Sequence, residues 1–284
     1  MADGAMALDE ARRASAKDAA RKMNYVRRGS GKPPLLLVHG LGSTWRSWGP
    51  ILSMLTAQRD VIALDLPGFG DSPALSDEVS IATLTDAVEA FIVEHGLGDI
   101  DMVGSSMGAR MVMELARRGH RGTVVALDPG GFWTGTQVNV FGATISASIW
   151  LVRRIQPLLP ILAGSRAGRT AMLLQFSAKP WQLPPALVLQ ELRSFVRSAS
   201  FDAALRALVH GPKQQGAPAG SLNGKVVIGW GRKDRVTVPS EAAVAQRLFP
   251  DADLHWFADC GHFPHWDRPQ AATDLILTAT ATGE

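Results

Sequence analysis

The stretch Met102-Val103-Gly104-Ser105-Ser106-Met107-Gly108-Ala109-Arg110 constrains this chain more than any other. An apolar run ends at Val103, and a helix-period run begins just after Ser106. Between them Gly104, Ser106 and Gly108 spell Gly-x-Ser-x-Gly. A serine held on a sharp turn between strand and helix takes a strained backbone conformation. Small residues on both flanks let the chain approach itself closely there. Such a turn lifts the Ser106 hydroxyl above a sheet and points the Met107 N–H into the same space. At average Gly and Ser usage, a chain of this length shows ~0.1 such matches by chance. The strand-before, helix-after context therefore carries the signal, and the partners of the serine must be sought elsewhere.

Taken in order, residues 1–23 are Ala-rich and charged, and read as a frayed helix or an unstructured arm. Asn24 to Arg28 is a short strand candidate closed by Gly29-Ser30-Gly31. The runs Leu35–Val38 and Val61–Leu64 are continuously apolar, as strands buried on both faces are. Each runs into a loop rich in turn residues, His39-Gly40-Leu41-Gly42-Ser43 and Asp65-Leu66-Pro67-Gly68-Phe69-Gly70-Asp71-Ser72. Ser80 can cap a helix whose apolar stripe is Ile81, Leu84, Val88, Phe91 and Ile92. Ile100–Val103 and Thr123–Leu127 are further strands, the second ending at Asp128. Strands alternating with helices predict a parallel sheet covered on both faces, with its site beyond the carboxyl ends of the strands. His39, Asp65, Ser106 and Asp128 all fall at those ends.

From Phe132 to about Gly211 the rhythm changes, and only helix-like segments appear: Ile145–Ile155, Leu158–Leu162, Thr170–Phe176, Pro185–Val196 and Phe201–Val209. They suggest a helical insertion lying over the sheet. Lys225–Trp230 and Asp253–Phe257 then resume the strands, and a helix from Pro269 closes the chain. The expected division is an arm (1–23), a core (24–131 and 213–284) and an insertion (132–212).

Bulk properties exclude several classes. A hydrophobic content of 46% with 19% charged residues describes a globular protein with a large core. A net charge of +3, with arginines scattered rather than clustered among aromatics, argues against nucleic acid as a partner. The lone Cys260 rules out an intrachain disulfide and a cysteine-rich metal site. No signal-peptide core or membrane-length apolar run appears, so a cytoplasmic setting without stable membrane insertion is the default. Nothing here speaks to oligomeric state.

Nucleophilic serine chemistry needs a base for the hydroxyl proton and a carboxylate that orients the base. His262 follows the last strand and Asp234 the strand before it, which completes the order Ser, Asp, His. With His39-Gly40-Leu41-Gly42, Asp65 to Ser72, Gly104 to Gly108 and Gly261-His262 in this order, the chain resembles the α/β-hydrolase fold superfamily from about Asn24 onward. The resemblance implies an α/β fold with a mostly parallel central sheet, helices on both faces and a helical cap. It implies Ser106 as nucleophile, His262 as general base and acid, and Asp234 as orienting acid. The backbone N–H groups of Leu41 and Met107 become the oxyanion hole, and His39 shapes its turn. No metal or organic cofactor is required. Asp128 is the competing acid, since some members of the family place it there. Ser105 lies one residue off the motif, and His265, Asp259 and Cys260 read as structural. Trp45 and Trp48 read as core.

Candidate pocket residues are Phe132, Trp133, Phe176 and Val236. An apolar insertion facing the cavity implies an apolar or aromatic small-molecule ester as substrate. A membrane-facing insertion is the less favoured alternative. The same fold hosts carbon–carbon hydrolases, thioesterases, acyltransferases and cofactor-free haloperoxidases or perhydrolases. The carbon–carbon hydrolases usually carry Trp after the histidine, where this chain has Phe263. Epoxide hydrolases and dehalogenases use Asp as nucleophile, which Ser106 opposes. A binding protein that reuses the fold is the non-enzymatic alternative.

Overall fold

The computed structural model describes residues 2–31 and 33–281. Met1, Lys32 and residues 282–284, which the expected arm and core ranges include, lie outside the described residues. In chain order the elements are α1 (Ala2–Lys22), β1 (Tyr25–Arg28), β2 (Leu35–Val38), α2 (Gly49–Thr56), β3 (Val61–Leu64), α3 (Ile81–Glu94), β4 (Asp101–Ser105), α4 (Met107–Arg117) and β5 (Val124–Leu127). Five helices follow: α5 (Gln137–Arg154), α6 (Leu159–Gly164), α7 (Arg166–Leu173), α8 (Pro185–Arg197) and α9 (Phe201–His210). The chain ends with β6 (Val226–Gly231), α10 (Glu241–Leu248), β7 (Asp253–Phe257), α11 (Pro264–Asp267) and α12 (Pro269–Ala279).

The strands form one seven-stranded sheet in the order β1, β3, β2, β4, β5, β6, β7. Only β1 is antiparallel, pairing Tyr25 with Leu64 through Arg28 with Val61. Alternation along each strand sorts side chains between two apolar layers. Leu36, Val38, Ile62 and Met102 pack toward α3 and α4. Leu35, Leu37, Val61 and Val103 pack toward α2 and α12. All four residues of β2 are buried between these layers.

The N-terminal segment takes the helical of its two expected forms. It is a helix laid against α3, and Ala16, Ala20 and Met23 are buried. Small alanine side chains let the two helices approach, and Arg21 reaches Glu94 at 3.1 Å. Tertiary packing of this kind, more than propensity, keeps such a helix formed. Between β5 and β6 no strand occurs among the described residues. There α5 starts at Gln137, ahead of the expected Ile145, because Phe141 stacks on Trp133 with centroids 5.2 Å apart.

At the amino ends of the strands a buried ion pair ties the sheet together. Arg59 Nη2 donates to Asp101 Oδ2 at 2.6 Å, and the guanidinium also donates to Pro33 O and Thr280 O. Removing one partner leaves a buried charge uncompensated, which costs about 3–5 kcal/mol. Arg59→Ala should therefore lower unfolding stability by about 3 kcal/mol, read as a reduced urea midpoint at unchanged slope.

Candidate active site

Ser106 sits between β4 and α4 with φ 55° and ψ −112°. The flanking glycines explain how the chain accommodates it. A Cβ on Gly104 would lie 2.5 Å from Ala109 N, and one on Gly108 would lie 2.2 Å from Val38 O. Backbone cannot retreat from such contacts, so only glycine lets α4 close onto the sheet.

Three side chains from three loops meet here. His262, in the loop after β7, places Nε2 at 2.8 Å from Ser106 Oγ. Its Nδ1 lies 2.8 Å from Asp234 Oδ2, in the loop after β6. A carboxylate can only accept, so Nδ1 carries the ring hydrogen and Nε2 is left to accept from the serine hydroxyl. Asp234 is itself held. Its Oδ1 accepts from the N–H groups of Val236 and Thr237 at 2.7 and 3.2 Å, and its Oδ2 accepts from Thr237 Oγ1 at 2.7 Å.

Asp128, the rival acid, makes no hydrogen bond to His262. Its Oδ1 accepts from Gly231 N–H at 2.8 Å, and its Oδ2 is buried without a partner. Burial, reinforced by the neighbouring Asp234, pushes its carboxyl well above the ordinary range. Asp128, Asp234 and His262 offer ligand atoms within 4.8 Å of one another, a spacing that would admit a cation. The Asp234 and His262 atoms are already bonded to each other.

Leu41 lines the cavity together with Ser106, and Met107 is the first residue of α4, directly after the serine. Neither N–H donates a hydrogen bond among the described residues. His39 holds the Leu41 loop in place. Its Nδ1 donates to Gly40 O at 2.7 Å, while its Nε2 accepts from Leu66 N–H at 2.9 Å. Burial lowers its pKa, and both ring nitrogens are occupied, so it anchors the turn.

A cavity of about 100 Å³ opens above Ser106 Oγ. Phe176 and Val236 line it, as expected. Phe132 and Trp133 do not, which corrects the sequence expectation. Phe132 lies 6.5 Å from Trp230 and 6.2 Å from Phe249, ring to ring, and Trp133 stacks on Phe141. Large aromatics just after β5 gain more by filling the joint between sheet and insertion. Trp48 is fully buried against His265, and the Cys260 thiol is buried with its pKa pushed upward. Burial also drives His265 down to about 3, so it stays neutral.

Contacts that no motif signalled join the insertion to this site. His262 N–H donates to Phe176 O at 2.8 Å. Asp267 Oδ2 accepts from both Gly261 N–H and Ala178 N–H at 2.7 Å, and Ser177 Oγ bonds its Oδ1. On the other side α8 grips the Leu41 loop. Ser194 Oγ donates to Gly42 O at 2.7 Å, and Ser43 Oγ donates to Glu191 at 2.8 Å.

Burial raises Glu191 to about 7 and, with the Asp234 charge second, raises Glu241 to about 8. An acid with a raised folded pKa holds its proton in the native state after the unfolded chain has released it. Stability therefore falls as pH climbs from about 4.5 through 7. Glu191→Gln should remove on the order of 3 kcal/mol of that loss. Urea titrations at pH 5 and pH 8 should show the variant gaining on the wild type far more at the higher pH.

The class follows from the sheet order and from where the serine sits in it, which are those of an α/β hydrolase. The chain belongs to the Alpha/beta hydrolase family, whose sequence model matches residues 35–275. It is 28% identical over 264 residues to the dihydrolipoyllysine-residue acetyltransferase component of the acetoin cleaving system of Cupriavidus necator. That match takes in 90% of this chain but 65% of that protein, so the chain spans less than two thirds of it. It is 26% identical to a 2-hydroxy-6-oxo-6-phenylhexa-2,4-dienoate hydrolase of Burkholderia cepacia, over 88% of each chain. Among solved structures it matches a thermophilic esterase from Thermogutta terrifontis with a TM-score of 0.70 at 19% identity, over 91% of this chain and 94% of that one. Among the described residues no helix is long and apolar enough to cross a membrane.

Proposed function

We propose that this protein is a serine hydrolase of neutral, apolar carboxylic esters and works through an acyl-enzyme. One observation carries the substrate class. The cavity over Ser106 is walled by Phe141, Ile145, Ile149, Leu192, Phe195 and other apolar groups, and among the described residues no Asp, Glu, Lys or Arg lines it. Apart from Ser106 and His262, its one polar side chain is Ser148. A charged acyl or alcohol group would lose its hydration there without a partner, at a cost of several kcal/mol. A neutral group loses nothing comparable.

In this reading Ser106 Oγ attacks the ester carbonyl as His262 Nε2 takes its proton. The Leu41 and Met107 N–H groups receive the charge that develops on the carbonyl oxygen, each worth about 3 kcal/mol in the transition state. The tetrahedral species collapses, and His262 returns the proton to the departing alcohol. Water, deprotonated by the same nitrogen, then releases the acid and frees the serine. Asp234 holds the ring in the tautomer that both half-reactions need. Residues 132–212 act as a cap over the core formed by 24–131 and 213–284, and the chain partners with a small ester-like molecule.

The Burkholderia relative favours a second reading, carbon–carbon bond hydrolysis on the same serine. The substrate in that protein's name is a dienoate, which carries a carboxylate. The cavity here offers no cation to meet one, and Phe263 stands after His262. A panel separates the two. Neutral nitrophenyl esters should show a burst of nitrophenol followed by slower turnover. A 2-hydroxy-6-oxo-dienoate should be cleaved at least about 100-fold less efficiently, about 3 kcal/mol in kcat/KM. The opposite ranking would replace the ester reading with the second one.

A further inference from the structure

The outer surface of the insertion differs in charge from the rest of the chain. From Pro129 to Gln190 there is no Asp and no Glu, although the sequence holds 26 acids in all. The charges in that stretch are Arg153, Arg154, Arg166, Arg169 and Lys179. Arg169 is buried and donates to the carbonyls of Ala163, Gly164 and Trp181. Arg153 pairs with Asp202 on α9. Arg154 and Arg166 are exposed, and neither has an acidic partner among the described residues.

The same stretch exposes large apolar side chains. Ile161 is 71% exposed and Trp150 is 60% exposed, with Leu158, Leu174 and Trp181 also open to solvent. The elements that carry Leu158, Ile161, Leu174 and Trp181 are neighbours. The turn before α6 packs on α6, α6 packs on α7, and α7 packs on the turn that holds Trp181. The Arg154 guanidinium lies 5.6 Å over the Trp150 ring. Exposed aliphatic groups at this density mark an interaction surface. Tryptophan beside arginine on an apolar helical face is the composition that suits the headgroup region of a bilayer.

The position of the cavity wall connects this surface to the site. Leu151 on α5 and Ala171 on α7 both line the cavity and are both exposed, which puts the wall of the cavity at the surface where these two helices meet. Trp150 precedes Leu151 in the chain, and Leu174 stands two residues past the lining residue Met172. The cavity wall and the exposed apolar side chains therefore belong to the same acid-free stretch of chain.

We propose that this face docks peripherally on an anionic lipid surface, with the cavity mouth turned toward the bilayer. Charge selects this occupant. A second copy meeting the first about a two-fold axis would bring the same acid-free face against itself, cation against cation. Anionic headgroups complement Arg154 and Arg166, and acyl chains accommodate Ile161 and Trp150. Apolar esters concentrate in lipid, so the mouth would draw substrate from there. That last step rests on the ester reading, but the docking does not.

The test uses the full chain with vesicles of phosphatidylcholine alone, or with about one third phosphatidylglycerol, separated by flotation. Wild-type protein should partition at least about tenfold more onto the anionic vesicles, and the preference should fade at high salt. Ser106→Ala protein should bind equally well, which keeps docking separate from turnover. The pairs Trp150→Glu with Ile161→Glu, and Arg154→Glu with Arg166→Glu, should each weaken binding at least about tenfold. Both pairs should keep the wild-type melting transition and the wild-type rate on a water-soluble ester. Equal or absent binding to the two vesicle types would overturn the proposal. So would a wild-type oligomer that Ile161→Glu dissolves while vesicles stay bare, since a second copy would then own the face.

Discussion

Ser106→Ala protein should fold normally and lose roughly 10⁴- to 10⁶-fold in kcat on a neutral ester, with no burst of alcohol. The structural argument is local. Ser106 Oγ is the hydroxyl bonded to His262 Nε2 and opens into the cavity. Ser105 Oγ is buried and bonds to nothing, so it cannot substitute. Alanine accepts the φ of 55° at about the same strain as serine, so the melting temperature should move little. The two unbonded N–H groups at Leu41 and Met107 survive the substitution. They should support a residual rate above that of water. His262→Ala should cost a similar factor, and the double variant little more, because the two groups act as one unit. Retention of wild-type turnover by Ser106→Ala would remove the nucleophile from the mechanism.

Asp234→Asn should lower kcat about 10⁴-fold and leave KM nearly unchanged. The amide would offer an N–H to His262 Nδ1, which moves the ring hydrogen to Nε2. That nitrogen could then no longer accept the serine proton. KM stays put because Asp234 does not line the cavity. Asp128→Asn supplies the contrast. Its Oδ1 can still accept from Gly231 N–H, and it has no bond to His262 to lose. Activity should stay within about tenfold of wild type. Stability near pH 8 should be equal or higher, because the wild-type carboxyl has its pKa raised by burial and then by Asp234. Ionising it at high pH disfavours the fold, and the amide cannot ionise. Kinetics and urea midpoints on both variants check this. If Asp128→Asn proves the damaging change, the orienting role belongs to the acid after β5.

Much of the scaffold is legible in the chain. β2 and β3 stand at the expected residues, because an unbroken Leu, Ile and Val run bounded by turn residues suits a strand buried on both faces. The α3 start was equally plain. Ser80 Oγ accepts from Thr83 N–H at 3.0 Å in a local cap that neighbouring residues build alone. The insertion was less legible. An amphipathic period locates the apolar stripe of a helix but not the turn ahead of it, so α5 reached back to Gln137 unannounced. Phe132 and Trp133 look like pocket aromatics in sequence, and only packing shows them spent on Trp230, Phe249 and Phe141. Asp267, Thr237 and Glu191 carry no motif. Their partners Ala178, His262 and Ser43 are distant in the chain, so no window could join them.

The sequence by itself determined the strained serine turn, the parallel strands around it and the chain order of serine, acid and histidine. Each of these rests on the sterics and burial of contiguous residues. Only the tertiary structure decided that Asp234 and not Asp128 meets His262, and which aromatics face the cavity. Those choices depend on where loops from β5, β6 and β7 arrive relative to one another. Packing between distant segments sets that arrangement, to within the few tenths of an ångström that separate a hydrogen bond from none.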